Sequence, residues 1–382
     1  MASSLKVGFV FDDSLDKPDG VQQYVLTMGR WLSAQGHDVH YLVGETVRDD
    51  LPNIYSLSRN VKVRFNQNRM AIPLPVRMQP IRDVLAREQF DILHVQVPYS
   101  PALAGRILKA ANNATAIVGT FHIAPHSALV TAGNRALGLW VRQTLARFDI
   151  MTATSKPAAD FARKTFKLES TVVPLPVPLE RFVGAKGFER YNSGKAVVFL
   201  GRLVERKGCQ HLLKAVAYAV QHTTWPADTR VVVCGGGPLE PRLKQFVQRQ
   251  GLGNIVEFTG YITEEDKPRY LASADVVAYP STGGESFGIV LLEAMAASPG
   301  MVLAGNNPGY ASVMAPRPES LFEPRDTATF AAKLVSALQD TVARKAARAW
   351  QRDYVQQFDI SNVGAQTVAI YEEALRKRHN LR

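Results

Sequence analysis

The 382-residue chain is long for a single hydrophobic core, so two domains of roughly 150–200 residues each are expected. Its 46% hydrophobic and 21% charged residues exclude a mainly disordered chain, and its two cysteines, Cys209 and Cys234, lie in no Cys/His cluster, which argues against a disulfide framework or a structural zinc site. The formal net charge of +11 favours anionic partners: nucleic acid, an anionic membrane face or phosphorylated ligands.

The N-terminus MASSLKVGFVFDD carries one Lys and a short apolar run closed by acids, which reads as a first buried strand rather than a signal peptide. No window reaches the about 18 apolar residues that span a bilayer, and a cytoplasmic protein is expected. Strand-like runs (KVGFVF, DVHYLVG, FDILHVQV, TAIVGTFH) then alternate with helical patterns (GVQQYVLTMGRWLSAQG, PALAGRILKAANN). That rhythm calls for an α/β fold with a parallel sheet and helices on both faces. It breaks at STVVPLPVPLERF, where three prolines fall in five residues, and restarts with KAVVFLGRL, KGCQHLLKAVAYAVQH, TRVVVCGGGP, LEPRLKQFVQRQGLG and NIVEFTGYI. The expected organisation is a first domain over 1–172, a linker over 173–190, a second domain of like build over 191–355, and a C-terminal helix over 356–382 packing back on the first. Ligands of open parallel sheets sit beyond the carboxyl ends of the strands, so a site is expected in the cleft between the domains.

No Walker motif or Gly-x-Gly-x-x-Gly fingerprint occurs, and GGGPLE places Pro238 where such a fingerprint needs a helix to begin, which disfavours NAD binding and P-loop chemistry. A tight turn and a wall of a nucleotide pocket both remain open for that loop. In STGGESFGIVLLEAMAAS, residues 281–298, Gly283 and Gly284 allow close backbone approach, and the helix start after Glu285 attracts a phosphate through free N–H groups and its dipole. GRLVERKG supplies Arg202 and Lys207 as counter-charge for a diphosphate, with Arg206 beside them reading as solvated. Glu285 and Glu293 suit vicinal diols, because a carboxylate accepts two hydroxyl protons at once; the alternative is an acid near a helix start and an acid on a helix surface.

GRLVERKG, the seven residues between Glu285 and Glu293, and the opening DGVQQYV together resemble retaining glycosyltransferases of the GT-B fold, family 4. GGESFGIVLLEAMAA is especially similar to the phosphatidylinositol mannosyltransferases of that family. The resemblance implies two Rossmann-like domains with parallel sheets facing a central cleft. It implies transfer of a hexose, mannose from GDP-mannose, to a hydroxyl acceptor such as phosphatidylinositol or another glycolipid precursor, with retention of configuration. A UDP-sugar-dependent transferase and an inactive sugar-nucleotide-binding protein are the alternatives. By the same resemblance Glu285 binds donor-sugar hydroxyls, Glu293 the ribose, and Arg202 and Lys207 the diphosphate, while Ser286 and the amides of Phe287, Gly288 and Ile289 touch sugar or phosphate.

His122, in TFHIAPHS, is expected at a strand end and exposed, and the resemblance implies a place near the reacting sugar, with a structural role as the alternative; His94 reads as structural. Gly20, in KPDGVQQYV, puts N–H groups at a helix start where a phosphate could rest. Catalysis then falls to His122, Arg202, Lys207 and Glu285, by positioning and by stabilising charge on the departing diphosphate. The nucleotide-sugar donor is the one small molecule required; without an Asp-x-Asp cluster, a divalent cation is not expected to be held by the protein. Asp19 stands where the family has a first glycine, Ile123 to Ser127 where it has small hydroxylated residues and a Lys, and Leu175-Pro176 where it has Asn-Gly. AASPGMVLAGN also interrupts the common Gly-x-Pro-Val pattern. These changes leave the donor half intact and bear on the acceptor.

VRMQPIRDVLAREQF and NRALGLWVRQTLARF mix Arg with Leu, Val and Trp at helical spacing, as interfacial helices do and as buried helices with a basic outer face do. The first reading implies peripheral contact with the inner face of an anionic membrane. No nucleic-acid partner is expected.

Overall fold

The computed structural model describes residues 4–16, 20–65, 68–73, 77–122, 137–138, 140–223 and 225–380. The chain divides into two compact units, Met1–Pro176 with Ile360–Arg382, and Val177–Asp359.

The first unit holds strands β1 (Lys6–Phe11), β2 (Asp38–Val43), β3 (Ile54–Ser56), β4 (Asn60–Phe65), β5 (Asn68–Pro73), β6 (Ile92–Gln96), β7 (Ala116–Phe121), β8 (Ile150–Ala153) and β9 (Thr171–Val172). Seven of them form one parallel sheet in the order β3-β2-β1-β6-β7-β8-β9, and β4 with β5 makes a separate antiparallel ladder. The central strands β6 and β7 are buried along their whole length, the signature of a sheet covered on both faces. Helix Gly20–Ala34 lays Tyr24, Val25, Met28 and Leu32 on the sheet at the spacing of one helical face. Helix Met78–Glu88 turns Ile81 and Val84 into a cluster with Leu93 and Ile107, leaving Arg77, Arg82 and Arg87 outside. Its apolar side is therefore core, and its outer face is charged. The second Arg-rich stretch lies partly outside the described residues, although Trp140 within it is exposed. No described helix is long and apolar enough to cross a membrane.

Helix Ile360–Asn380 completes this unit. It packs on β7 and on helix Gly20–Ala34, buries Tyr371 fully, and ties Arg378 to Asp149 at 2.8 Å. Full burial of such a side chain contributes roughly 1.5–3 kcal/mol.

The second unit carries β10 (Lys195–Leu200), β11 (Thr229–Cys234), β12 (Val256–Gly260), β13 (Val276–Tyr279), β14 (Met301–Gly305) and β15 (Leu321–Phe322). They form a parallel sheet in the order β12-β11-β10-β13-β14-β15. Counted from β10 this is 3-2-1-4-5-6, the doubly wound arrangement of dinucleotide-binding sheets. One face is sealed by helices Cys209–His222 and Thr327–Gln339 through Leu212, Val216, Phe330 and Leu334. At the proline-rich junction the outgoing and returning passes of the chain run side by side, with the Val177 amide donating to the Phe358 carbonyl at 2.8 Å.

Candidate active site

In a doubly wound sheet the connections leave two adjacent strands in opposite directions, which opens a crevice beyond their carboxyl ends. In the second unit those strands are β10 and β13, and the loops that follow them carry GRLVERKG and STGGES. Residues Glu205–Lys207 form a 3-10 turn that ends at Gly208, whose φ is +77° and where a Cβ would lie 1.8 Å from the Pro280 carbonyl oxygen. Only glycine permits that approach, and it presses the two loops together. The Thr282 amide then donates to the Arg206 carbonyl at 2.9 Å, and the Ser281 hydroxyl oxygen lies 3.0 Å from the same carbonyl. Asn307 supports the second loop from below, donating to the Ser281 carbonyl at 3.1 Å.

The result is a carboxylate held by two cations. Glu285 Oε1 receives Lys207 Nζ at 2.8 Å, Arg206 Nη1 at 2.9 Å and the Ser281 hydroxyl at 3.0 Å. Burial pushes the Glu285 carboxyl upward, but Lys207 and Arg206 outweigh it and hold the group below the ordinary carboxylate value. Arg206, expected to be solvated, is a partner of Glu285; the 3-10 turn aims it along the same side as Lys207. Arg202 sits half-buried two residues beyond β10.

After Ser286, half-buried, and Phe287, buried against Phe358, the chain enters helix Ile289–Ala297 through Gly288, at φ +120°, where a Cβ would meet the Tyr310 ring at 2.7 Å. Leu291, Leu292 and Met295 of this helix are buried, and so is Glu293 between them. A carboxylate there needs a partner, and Lys267 supplies it: Lys267 Nζ lies 2.8 Å from Glu293 and 2.9 Å from Glu264. Burial raises the Glu293 carboxyl against the opposing pull of Lys267, and the ammonium of Lys267 is raised because the two carboxylates outweigh its own desolvation. Glu285 and Glu293 thus belong to two separate ion networks on either side of the helix start. Lys267 carries no motif signal, since Lys-Pro opening a short helix reads as surface. The GGGPLE loop is stitched to the β10 loop by the Leu203 amide donating to the Gly236 carbonyl at 2.9 Å, and the Tyr261 ring lies against Gly236.

The first unit has a different chemistry at the same end of its sheet. Asp12, just past β1, accepts from the Ala104 amide at 2.7 Å and from the Ser100 hydroxyl, so the start of helix Leu103–Ala110 already faces a carboxylate. Val97, just past β6, holds φ +56°, a strained value for a β-branched residue. His122 follows β7 and, instead of being exposed, has 5% of its surface accessible. The Tyr24 ring covers it edge-on at 5.1 Å, and its Nε2 meets Gln96 Oε1 at 2.6 Å. His94 is also buried, between the Tyr371 hydroxyl at 2.7 Å and the Thr120 hydroxyl at 2.6 Å. Burial lowers both imidazoles to about 3, with His122 adding to the effect on His94. Gly20 opens helix Gly20–Ala34, whereas Asp19 and Ile123 to Ser127 lie outside the described residues. Among the described residues no group of three or more His, Cys, Asp or Glu could hold a metal ion.

Comparison with known proteins fits this picture. The family model described as "Glycosyl transferases group 1" matches residues 185–353, and that described as "Glycosyltransferase Family 4" matches residues 18–181. The phosphatidyl-myo-inositol mannosyltransferases of Mycolicibacterium smegmatis and Mycobacterium tuberculosis are 31% and 30% identical to the chain, covering 96% of it and 94% and 97% of their own lengths. Among solved structures, a glycosyltransferase from Rickettsia africae superposes with a TM-score of 0.75 at 17% identity, over 97% of this chain and 99% of its own. Anabaena HepE, in complex with UDP and glucose, does so with a TM-score of 0.73 at 16% identity, over 96% and 99%. The chain therefore belongs to glycosyltransferase family 4, and its two parallel-sheet units are those of the GT-B fold.

Proposed function

We propose that the protein transfers a hexosyl group, mannose from GDP-mannose, to a hydroxyl of a phosphatidylinositol-like lipid, with retention of configuration. The observation that carries this reading is Glu285 gripped by Lys207 and Arg206 at the switch point of the second sheet. Two cations facing one carboxylate suit an exchange of partners. A diphosphate offers Lys207, Arg206 and Arg202 more negative charge than Glu285 does, and the freed carboxylate turns to the diol of the sugar. In the reaction the bond from the anomeric carbon to the diphosphate oxygen breaks while that to the acceptor oxygen forms on the same face. The acceptor's proton passes to the departing diphosphate. Charge growing on that diphosphate is stabilised by the cations and by the start of helix Ile289–Ala297. Lys267 and Glu293 beside it form the polar wall toward the nucleoside. The full-length similarity to mannosyltransferases supports mannose and the lipid acceptor.

A thermal-shift panel of GDP-mannose, GDP, UDP-glucose and UDP tests the donor, because a ligand held by the folded state alone, at 100 times its Kd, adds about 2.7 kcal/mol of stability. GDP-mannose is expected to raise Tm in the wild type and not in Glu285→Ala. A response to UDP-sugars alone replaces the donor, and no response to any of them removes the donor reading. Mannose transfer to vesicles containing phosphatidylinositol tests the acceptor, with an expected loss of about 100-fold or more in Glu285→Ala. Sedimentation with anionic vesicles at low salt tests membrane contact, and no binding there removes it.

A further inference from the structure

One buried residue outside the family motifs decides what His122 can recognise. β6 and β7 run in parallel with Gln96 beside Thr120, so Gln96 and His122 meet at the carboxyl ends of the two strands. The Gln96 side chain is fully buried and has two chemically different ends. Its Nε2 lies 3.3 Å from the His94 carbonyl oxygen, which can only accept, so the NH₂ group must face that way. Its Oε1 then faces His122 Nε2 at 2.6 Å, and an amide oxygen can also only accept. The proton between them therefore belongs to His122.

We infer that Gln96 is a positioning residue that locks His122 as the Nε2–H tautomer, so that Nδ1 presents a lone pair and selects a ligand hydroxyl over an anionic oxygen. Burial keeps the ring neutral, which leaves it one proton, already committed to Gln96. Among the described residues, the titratable groups packed around it are His94 on β6, Tyr24 on helix Gly20–Ala34 and, behind His94, Tyr371 on helix Ile360–Asn380. None is a carboxylate that would draw a second proton onto the ring. His94 meets hydroxyl groups at both nitrogens, and a hydroxyl can donate or accept, so the neighbouring network imposes no opposite polarity. An imidazolium would welcome a phosphate at this point; a bare Nδ1 repels one and takes an O–H. That the hydroxyl belongs to the sugar or the acceptor rests on the proposed transfer reaction, whereas the tautomer does not.

The test uses full-length protein labelled with ¹⁵N-histidine, whose long-range proton–nitrogen spectrum separates protonated from bare ring nitrogens, with His122→Asn assigning the resonance. The expected result is Nε2–H with bare Nδ1, unchanged as pH falls from about 8 to about 5. An Nδ1–H ring, or titration near the ordinary histidine value, overturns the inference. Gln96→Glu keeps an acceptor at Nε2 but adds a carboxylate, so His122 should take up a second proton nearer neutrality and the pH–rate profile should gain an acidic limb. Gln96→Leu should mix the tautomers and lower kcat/KM roughly tenfold while the thermal shift with nucleotide stays unchanged. A Gln96→Leu protein with the wild-type tautomer and rate overturns the role of Gln96. The predicted tautomer in a protein that transfers no sugar leaves the inference standing and removes the reaction instead.

Discussion

The two units place ionisable side chains at the same end of their sheets but bury them in opposite states. In the second unit Glu285 keeps its charge against Lys207 and Arg206, and Glu293 sits against Lys267. In the first unit His94 and His122 are held neutral among hydroxyl and amide groups. A carboxylate can stay ionised out of water when a cation is fixed beside it, and an imidazole simply gives up its proton. In the proposed reaction the ionic set trades its partners for the charges of a phosphate and the hydroxyls of a sugar. The neutral set has directional lone pairs and protons, and it sorts hydroxyls from anions.

The sharpest way to break this contrast is at its most deeply buried ion pair. Lys267→Met strands the Glu293 carboxylate and should cost about 3–5 kcal/mol in denaturant-unfolding stability, most of it recovered by adding Glu293→Leu. An equal loss in both variants would show that packing, not charge, dominates there. Acid probes the neutral set next. The unfolded chain takes up protons on His94 and His122 below 6.5, while the folded protein resists until about 3. Their contribution is complete above the unfolded value and drains as pH falls toward the folded one, at about 1.4 kcal/mol per pH unit for each histidine. Unfolding curves measured between about pH 7.5 and 5 read this slope, and a flat series would mean the rings are not held neutral. Arg206→Ala should have the mildest effect, weakening donor binding roughly tenfold while the His122 spectrum stays as it was.

The alternation of strand and helix, and the motifs GRLVERKG and GGESFGIVLLE, made the fold and the family legible in the sequence, because local periodicity and glycine placement carry both. Partnerships across loops were not legible. Arg206 looks solvated until Gly208 presses its turn against Pro280, and Lys267 looks like a surface lysine until helix Ile289–Ala297 brings Glu293 to it. His122 is covered by Tyr24 and Gln96, which come from two other elements. Such juxtapositions are properties of the packed sheet, and no spacing within one segment encodes them.

The second unit is, along the chain, an insertion: the first unit stops at Pro176 and resumes at Ile360. During synthesis the second sheet can therefore close on itself before the first is complete. Until residues 360–380 leave the ribosome, His94 lacks the Tyr371 hydroxyl, Asp149 lacks Arg378, and β7 lacks the helix that packs on it. A nascent or prematurely terminated chain would thus pair a finished second unit with a first unit whose apolar and polar interior lies open to proteases and chaperones, so quality control of the protein falls to the segment 360–380.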